Sequence, residues 1–122
     1  MTWTYKQISG AILWNSELMG VGYSGIDDGL DNPSKQDVAN VGPIPVGTYD
    51  IGPGFQHPSC GPLSMRLTPQ PDTETFGRAG FLIHGDNTAM DHTASHGCII
   101  LARSIRQAIN ESDDKTLVVV ED

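Results

Sequence analysis

Short stretches in which apolar and polar residues alternate, separated by turns rich in glycine and proline, run along most of the chain. In the first 25 residues Trp3 and Tyr5 alternate with polar neighbours and two turn sequences follow, which predicts three strands that end near Tyr23. The segment 80–85 is instead a continuous apolar run, typical of a buried strand. The pattern predicts further strands near 46–51, 63–69 and 117–120.

Helical periodicity is confined to two places. Ala102, Ile105 and Ile109 recur at spacings of three and four residues, which predicts an amphipathic helix of about three turns. Asn32 followed by Pro33 is a typical start for a short helix, because asparagine caps the first turn and proline fits its first position. The predicted fold class is therefore mainly β, a β-rich α+β architecture with one substantial helix.

Length and composition favour one folded domain spanning residues 1–122. A chain of 122 residues can bury a core without disulfides or metals, and 38% hydrophobic residues with 14 glycines and 8 prolines suit a turn-rich globular protein. No apolar run approaches the roughly 20 residues needed to cross a bilayer, and the N-terminus shows no secretory signal. We therefore expect no membrane insertion and no export by a signal peptide.

The formal net charge of -8 argues against nucleic acid as a partner, because an acidic surface repels phosphates. The basic residues are distributed unevenly, since all four arginines lie within 57–109 and the three lysines lie outside this window. Four acidic residues balance the four arginines there, so the net charge of the window is zero. A region less acidic than the rest of the chain could admit a substrate that carries carboxylates.

Chemically reactive side chains concentrate in one stretch of fifteen residues, which holds Cys98 and three of the four histidines. A thiol attacks a carbonyl as the thiolate, so a catalytic cysteine needs a neighbouring base. His84, at the end of a predicted buried strand, is the best candidate for that base. Gly97 lacks a Cβ and so lets backbone N–H groups approach a substrate carbonyl and stabilise an oxyanion. Ser95 and His96 could orient or polarise the site.

Other interpretations stay open from the residues alone. A cysteine beside two isoleucines is often a small core residue, and His57 and His92 are interpreted as solvated loop residues without a catalytic role. His84, His92, His96 and Cys98 are also permitted zinc ligands, so a zinc peptidase is an alternative. The spacing argues against zinc, because HExxH, CxxC and a nearby glutamate base are all missing. We therefore predict no metal.

Two motifs together resemble those of a known family: Ile83-His84-Gly85 at a strand end, and Ser95-His96-Gly97-Cys98-Ile99 further along the chain. The pair resembles the signature of the L,D-transpeptidases, a superfamily with a YkuD-like fold. The stretches GYSG, NVGPIPVGTYDIG, HPSCGPLSMRL and CIILARSIR are similar to its small tlde1 branch. The resemblance covers the chain from about Trp3 to Ile109.

The resemblance implies a compact L,D-transpeptidase domain whose one helix follows the catalytic cysteine. It implies that Cys98 attacks the carbonyl of diaminopimelate in a peptidoglycan tetrapeptide stem and releases D-alanine, with His84 as the base. The segment His96-Gly97-Cys98 then supplies the oxyanion site, and no cofactor is implied. Water would complete an L,D-carboxypeptidase reaction, whereas a D-amino acid or a second stem would complete an exchange or a cross-link.

Among the matched positions, substrate contacts are expected from Ser95, Gly85, Asp86 and Arg103. Many L,D-transpeptidases carry Arg or Asn where Ile100 stands here, so Arg103 is expected to supply the cation for a substrate carboxylate. The resemblance also implies a type VI secretion effector, made in the cytoplasm and acting in the periplasm of a target bacterium, with a cognate immunity protein as partner. A non-catalytic peptidoglycan-binding module of the same fold is the alternative.

Overall fold

The computed structural model describes residues 2–87 and 94–122 of the protein. In these two segments there are ten strands, one α-helix, and two 3₁₀ turns at Asp27–Gly29 and Pro33–Lys35. The helix, α1, spans Arg103–Glu111. This confirms the predicted mainly β fold with a helix after Cys98. The strands are β1 (Trp3–Lys6), β2 (Ala11–Trp14), β3 (Glu17–Val21), β4 (Tyr23–Ser24), β5 (Gly47–Ile51), β6 (Phe55–His57), β7 (Gly61–Pro69), β8 (Leu82–His84), β9 (Ile99–Ile100) and β10 (Thr116–Val120).

The strands form a sheet that curls until its two ends nearly meet. The strand order is β3-β2-β1-β10-β5-β7-β8-β9-β4, with β6 paired to β7. The two edge strands are consecutive in the chain, since β3 ends at Val21, β4 begins at Tyr23, and only Gly22 separates them. Two steps of the chain span at most about 7 Å, so the edges must lie close together. A side chain at Gly22 would collide with the carbonyl oxygen of Ile100, which explains the glycine at this closure.

The inside of the curled sheet holds the apolar core. Trp3 and Tyr5 of β1 and Leu117 and Val119 of β10 are almost fully buried, while the residues between them are partly exposed. This is the alternation expected of strands with one core-facing side. The two strands pair in parallel, and Ile109 of α1 packs against the same cluster. The first and last strands of the chain therefore close the core together.

Most of the predicted elements are present. The Asn32 side chain accepts a hydrogen bond from the Ser34 N–H and so caps the turn at Pro33–Lys35, as predicted, although the turn is a single short 3₁₀ segment. The apolar run at 80–85 forms β8, in which all three residues are buried. The strands β6 and β9 are not predicted by the pattern, because two or three residues are too few to show an alternation. The longest helix of the described chain has nine residues, far short of the roughly 20 that span a bilayer.

Candidate active site

Strands β8 and β9 bring Cys98 and His84 to the same face of the sheet. The two strands pair in parallel with Ile83 beside Ile99, and both isoleucines are buried in the core. Because side chains alternate along a strand, Cys98 and His84, each one residue away, both point to the opposite face. In this register Cys98 lies beside Leu82, so Cys98 and His84 are diagonal neighbours, about 8 Å apart at the backbone. The two side chains therefore share one surface.

The His84 imidazole is held in one tautomer. Its Nδ1 lies 2.8 Å from the carbonyl oxygen of Gly85, which can only accept a hydrogen bond, so Nδ1 carries the proton. The other ring nitrogen, Nε2, is then an unprotonated acceptor. Burial lowers the pKa of His84, because desolvation disfavours the charged imidazolium, and this outweighs the opposing effect of the Gly85 carbonyl. At neutral pH His84 is therefore a neutral base, and its Nε2 accepts no hydrogen bond from residues 2–87 or 94–122.

The Cys98 thiol is free and half-buried. Its Sγ lies 3.9 Å from the carbonyl oxygen of Gly80, to which it donates. Burial raises the pKa of Cys98 to about 11, and the Leu82 N–H and the positive charge of Arg78 offset only part of this rise. The resting thiol is therefore protonated at neutral pH. Attack on a carbonyl then requires a base that takes the proton as the sulfur reacts.

This raised pKa predicts how Cys98 reacts with an electrophile. Only the thiolate is alkylated by iodoacetamide. The rate at Cys98 should therefore still be rising at pH 10 in the folded protein, because the pKa is about 11. In guanidinium-unfolded protein the rate at the same residue should level off above the ordinary thiol pKa of about 8.5. Mass mapping of the alkylated peptide across pH 6 to about 10 measures both profiles, and a folded-state plateau near neutral pH would instead show a preformed thiolate.

Ser95 holds the turn that presents Cys98. Its side chain is fully buried, and its hydroxyl donates to the Cys98 carbonyl oxygen at 2.6 Å. The Ser95 hydroxyl oxygen also accepts hydrogen bonds from the N–H groups of Gly25 at 2.9 Å and Gly97 at 3.1 Å. The sequence suggested a substrate contact for Ser95, but in the structure the buried hydroxyl is fully used by the backbone. Ser95 is therefore part of the scaffold of the site.

The same hydrogen bonds decide which backbone donor is available beside the sulfur. The Gly97 N–H, which the sequence motif placed in the oxyanion segment, is occupied by the Ser95 hydroxyl. The Cys98 N–H has no acceptor within residues 2–87 and 94–122. Of these two amides, the one on Cys98 is therefore the one without a hydrogen-bond partner among the described residues.

A buried arginine that the sequence does not single out lies behind this turn. Arg78 is 8% exposed, and its hydrogen bonds to the described residues all go to main-chain carbonyls. The acceptors are the carbonyls of Gln36 at 2.6 Å, Pro43 at 2.8 Å, Gly42 at 3.0 Å and His96 at 3.4 Å. These four bonds use every terminal N–H of the guanidinium. Arg78 therefore ties the loop before β5 to the turn that carries Cys98.

Arg78 also accounts for the glycine at position 97. Gly97 has a φ of +130°, and a Cβ added there would collide with Nη2 of Arg78. Glycine lets the turn approach the guanidinium and adopt a backbone conformation that other residues rarely reach. The charge of Arg78 lies close enough to Cys98 to lower the pKa of its thiol. The sequence signal for this contact is therefore the glycine, whose partner only the fold reveals.

Gly97→Ala is expected to reduce stability more than Gly61→Ala. Gly61 also has a positive φ, +86°, but nothing lies within 4 Å of a Cβ added there. Both variants strain the backbone, whereas only Gly97→Ala forces a methyl group against Arg78. We expect the difference in the free energy of unfolding to be about 1–3 kcal/mol, the usual cost of overpacking. Urea denaturation of both variants measures it, and equal losses would contradict the contact.

Cys98 and His84 each line a cavity. The first, called here the nucleophile cavity, has a volume of about 290 Å³ and is lined by Cys98, Gly80 and His96 among others. The second, called the imidazole cavity, has a volume of about 300 Å³ and is lined by His84, Gly85 and Asp86 among others. The two cavities have no lining residue in common, so the register of β8 and β9 is what relates Cys98 to His84.

The other predicted site residues are distributed around these cavities. The His96 ring is exposed, and its Nδ1 lies 3.2 Å from the Asn40 carbonyl oxygen, to which it can donate. Asp86 is exposed and accepts a hydrogen bond from the Tyr23 hydroxyl at 2.7 Å. Arg103 is exposed at the first position of α1.

His57 and His92 are both interpreted from the sequence as solvated loop residues, and the structure describes only the first of them. His57 is not the solvated loop residue that was predicted, since it ends β6 and is half-buried. Its Nδ1 accepts hydrogen bonds from the N–H groups of Ser59 and Cys60, so it stabilises the turn between β6 and β7. His92 lies outside the described residues.

The zinc alternative depends on four candidate ligands, one of which is His92. Across the segments 2–87 and 94–122, no three side chains of His, Cys, Asp or Glu come together as a potential metal site. Cys98 and His84 are diagonal neighbours in the register of β8 and β9, and no third ligand joins them in those segments.

The sequence was compared with protein-family models and with curated proteins. The family model of the Tlde1 domain matches residues 19–122, a range that includes Cys98, His84 and Arg78. Among curated proteins, no sequence matches the chain significantly. The family match covers well over half of the chain and agrees with the motifs noted above. The chain therefore belongs to the Tlde1 family.

Proposed function

We propose that the protein is a cysteine enzyme of the L,D-transpeptidase superfamily that acts on peptidoglycan tetrapeptide stems through an acyl-enzyme on Cys98. The observation that supports this most is the register of β8 and β9, which places the free thiol of Cys98 diagonally from the neutral imidazole of His84. Membership of the Tlde1 family suggests a type VI effector, which agrees with an attack on the cell wall of another bacterium.

Acylation begins when the Cys98 sulfur attacks the carbonyl carbon of diaminopimelate. The thiol proton passes to Nε2 of His84, which the Gly85 carbonyl keeps available as an acceptor by fixing the proton on Nδ1. The carbonyl oxygen becomes an oxyanion and accepts a hydrogen bond from the Cys98 N–H. When the tetrahedral intermediate collapses, the C–N bond breaks and the departing D-alanine nitrogen takes the proton from His84. A thioester on Cys98 remains.

Deacylation repeats these steps in reverse with another nucleophile. Water, or the amine of a D-amino acid or of a second stem, attacks the thioester carbonyl and gives its proton to His84. The C–S bond then breaks, and the sulfur regains the proton from His84. Water yields a tripeptide, so the enzyme is then an L,D-carboxypeptidase, whereas an amine yields a new peptide bond, so it is then a transpeptidase.

Arg78 assists as a positioning residue in this proposal. Its terminal N–H groups are all used by backbone carbonyls, so it cannot bind a substrate carboxylate through them. It fixes the turn that carries the nucleophile, and its positive charge favours negative charge on the nearby sulfur. These are the requirements of a preorganised electrostatic environment around a reacting thiol.

The reaction is tested by incubating the purified protein with disaccharide tetrapeptides, with and without a free D-amino acid such as D-methionine. A tripeptide product identifies hydrolysis, and a tetrapeptide ending in D-methionine identifies exchange. Binding of the stem without any product would indicate the alternative, a non-catalytic peptidoglycan-binding module. We expect product formation in the periplasm of a target cell to be blocked by a cognate immunity protein.

A further inference from the structure

A third cavity adjoins the imidazole cavity at Asp86. It has a volume of about 450 Å³ and is lined by Tyr23, Asp86, Arg103 and Arg106 among others, and it is called here the arginine cavity. Asp86 lines the imidazole cavity as well, so the two are neighbours across this one side chain. A ligand whose scissile bond lies over Cys98 and His84 therefore has a second space into which a side group can extend.

Arg106, which lines this cavity, has an unused donor group. It is 7% exposed, and its Nε donates to the Leu101 carbonyl at 3.1 Å. Its Nη1 donates to the carbonyls of Pro62 at 2.8 Å and Leu63 at 3.3 Å. Its Nη2 forms no hydrogen bond to any of the described residues. A buried guanidinium with unused donors is a strong binding site for a carboxylate, because the opposite charges strengthen the hydrogen bonds between the two groups.

The surroundings of Arg106 add positive potential. Arg103, one turn earlier on α1, lines the same cavity, and its charge lowers the pKa of Arg106 beyond the effect of burial. Ala102 precedes the helix without a side-chain cap, and the first turn of α1 has no acidic residue. The first N–H groups of the helix therefore also lack a side-chain acceptor, and a helix start of this kind favours an anion. An anionic group in the cavity would interact favourably with Arg106, with Arg103 and with the start of α1.

Asp86 supplies the opposite charge at the entrance of the cavity. One of its carboxylate oxygens, Oδ1, accepts hydrogen bonds from the Tyr23 hydroxyl and, at 2.9 Å, from the Asn87 N–H. These bonds fix the orientation of the carboxylate and leave Oδ2 without a hydrogen bond from the described residues. The cavity thus combines cationic donors on one side with an anionic acceptor on the other. This arrangement complements a group that carries both a carboxylate and an ammonium.

We propose that the arginine cavity binds the zwitterionic α-amino acid group of a ligand, with the carboxylate at Arg106 and Arg103 and the ammonium at Asp86. The identity of the ligand rests on the proposed function, because a diaminopimelate residue in a peptide stem ends its side chain in such a group. The cavity would then select stems by the free end of that side chain, while the thiol acts on the carbonyl of the same residue.

The test measures binding separately from turnover. The probes are a synthetic tetrapeptide stem with meso-diaminopimelate at its third position, the same peptide with the side-chain carboxylate amidated, and the same peptide with the side-chain amine acetylated. Each is titrated into ¹⁵N-labelled Cys98→Ala protein and followed by NMR. We expect amidation to weaken binding about 10- to 100-fold, the effect of losing a hydrogen-bonded charge. We expect acetylation to weaken it less, because Asp86 is exposed.

Variants of the arginines then locate the effect. In the Cys98→Ala background, Arg103→Gln should weaken binding of the parent peptide and reduce its preference over the amidated peptide. Lys6→Gln removes the same charge from β1, so it controls for the change in net charge. Arg106→Lys keeps the buried charge but removes the Nη2 donors. It should also reduce the preference for the parent peptide over the amidated peptide. A thermal unfolding curve shows whether each variant is folded.

The outcomes separate this inference from the proposed function. Equal binding of the parent and amidated peptides by Cys98→Ala protein would overturn the inference, and so would equal behaviour of Arg103→Gln and Lys6→Gln. Arginine-dependent binding by Cys98→Ala protein, combined with no turnover by the wild-type protein, would support the cavity and reject the enzymatic proposal. Turnover of all three peptides at the same rate would support the enzyme and reject the cavity.

Discussion

Replacing Cys98 by alanine is expected to abolish the release of D-alanine from a tetrapeptide stem. The sulfur forms the bond that replaces the scissile bond, so its removal should lower kcat by about 10⁴-fold or more. His84→Ala should lower kcat by about 10² to 10⁴, the usual contribution of a general base. The loss should be pronounced because the Cys98 thiol is protonated at rest, with a pKa of about 11, and cannot ionise unaided at neutral pH. Product release quantified by mass spectrometry measures both effects.

Cys60→Ala is the matched control for the nucleophile. It makes the same chemical change at the other free cysteine, which lies in the turn between β6 and β7. We expect Cys60→Ala to retain turnover and Cys98→Ala to remain folded, with a thermal midpoint close to that of the wild-type protein. Turnover that persists in purified Cys98→Ala protein, or that disappears in Cys60→Ala protein alone, would assign the nucleophile to another residue.

The second large effect is expected at Arg78. Arg78→Met removes the donors to four main-chain carbonyls and the positive charge beside Cys98. We expect kcat to fall by about 10² to 10³, comparable with the loss of one preorganised donor in an oxyanion site. We also expect the free energy of unfolding to fall by about 1–3 kcal/mol or more, because buried carbonyl groups lose their partners.

Arg78→Lys separates the two roles of this residue. Lysine keeps the charge but can satisfy fewer carbonyls, so kcat should fall while the pH profile of Cys98 alkylation stays close to that of the wild-type protein. In Arg78→Met the same profile should move to higher pH, because the cation that lowers the thiol pKa is gone. A purely structural role would reduce stability in both variants without this difference in alkylation. Wild-type turnover by folded Arg78→Met protein would show that the residue does not position the nucleophile.

The longer elements can be predicted from the sequence because their patterns reflect one buried face. The spacing of Ala102, Ile105 and Ile109 predicts a helix, and α1 runs from Arg103 to Glu111. The strands β6 and β9 cannot be predicted in this way, since a strand of two or three residues has no measurable period. Their existence depends on pairing with β7 and β8, which only the tertiary fold determines.

The residues of the candidate site also differ in whether the sequence alone can predict them. Cys98 and His84 can be found from the sequence because they lie in a short segment dense in reactive residues, and the register of β8 and β9 brings them to one face. Arg78 and Arg106 cannot be found in this way, because their partners are main-chain carbonyls of distant segments. The backbone contacts of Ser95 could not be predicted for a related reason, since their partners become neighbours only after folding.

The most direct test of the account is to trap the acyl-enzyme. The wild-type protein is mixed with a tetrapeptide stem, quenched in acid within the first turnover, and analysed by intact-protein and peptide mass spectrometry. We predict an adduct equal to the tripeptide acyl group on Cys98, present in Cys60→Ala protein and absent from Cys98→Ala protein. Product formation without any adduct on Cys98, or with the adduct on another residue, would contradict it.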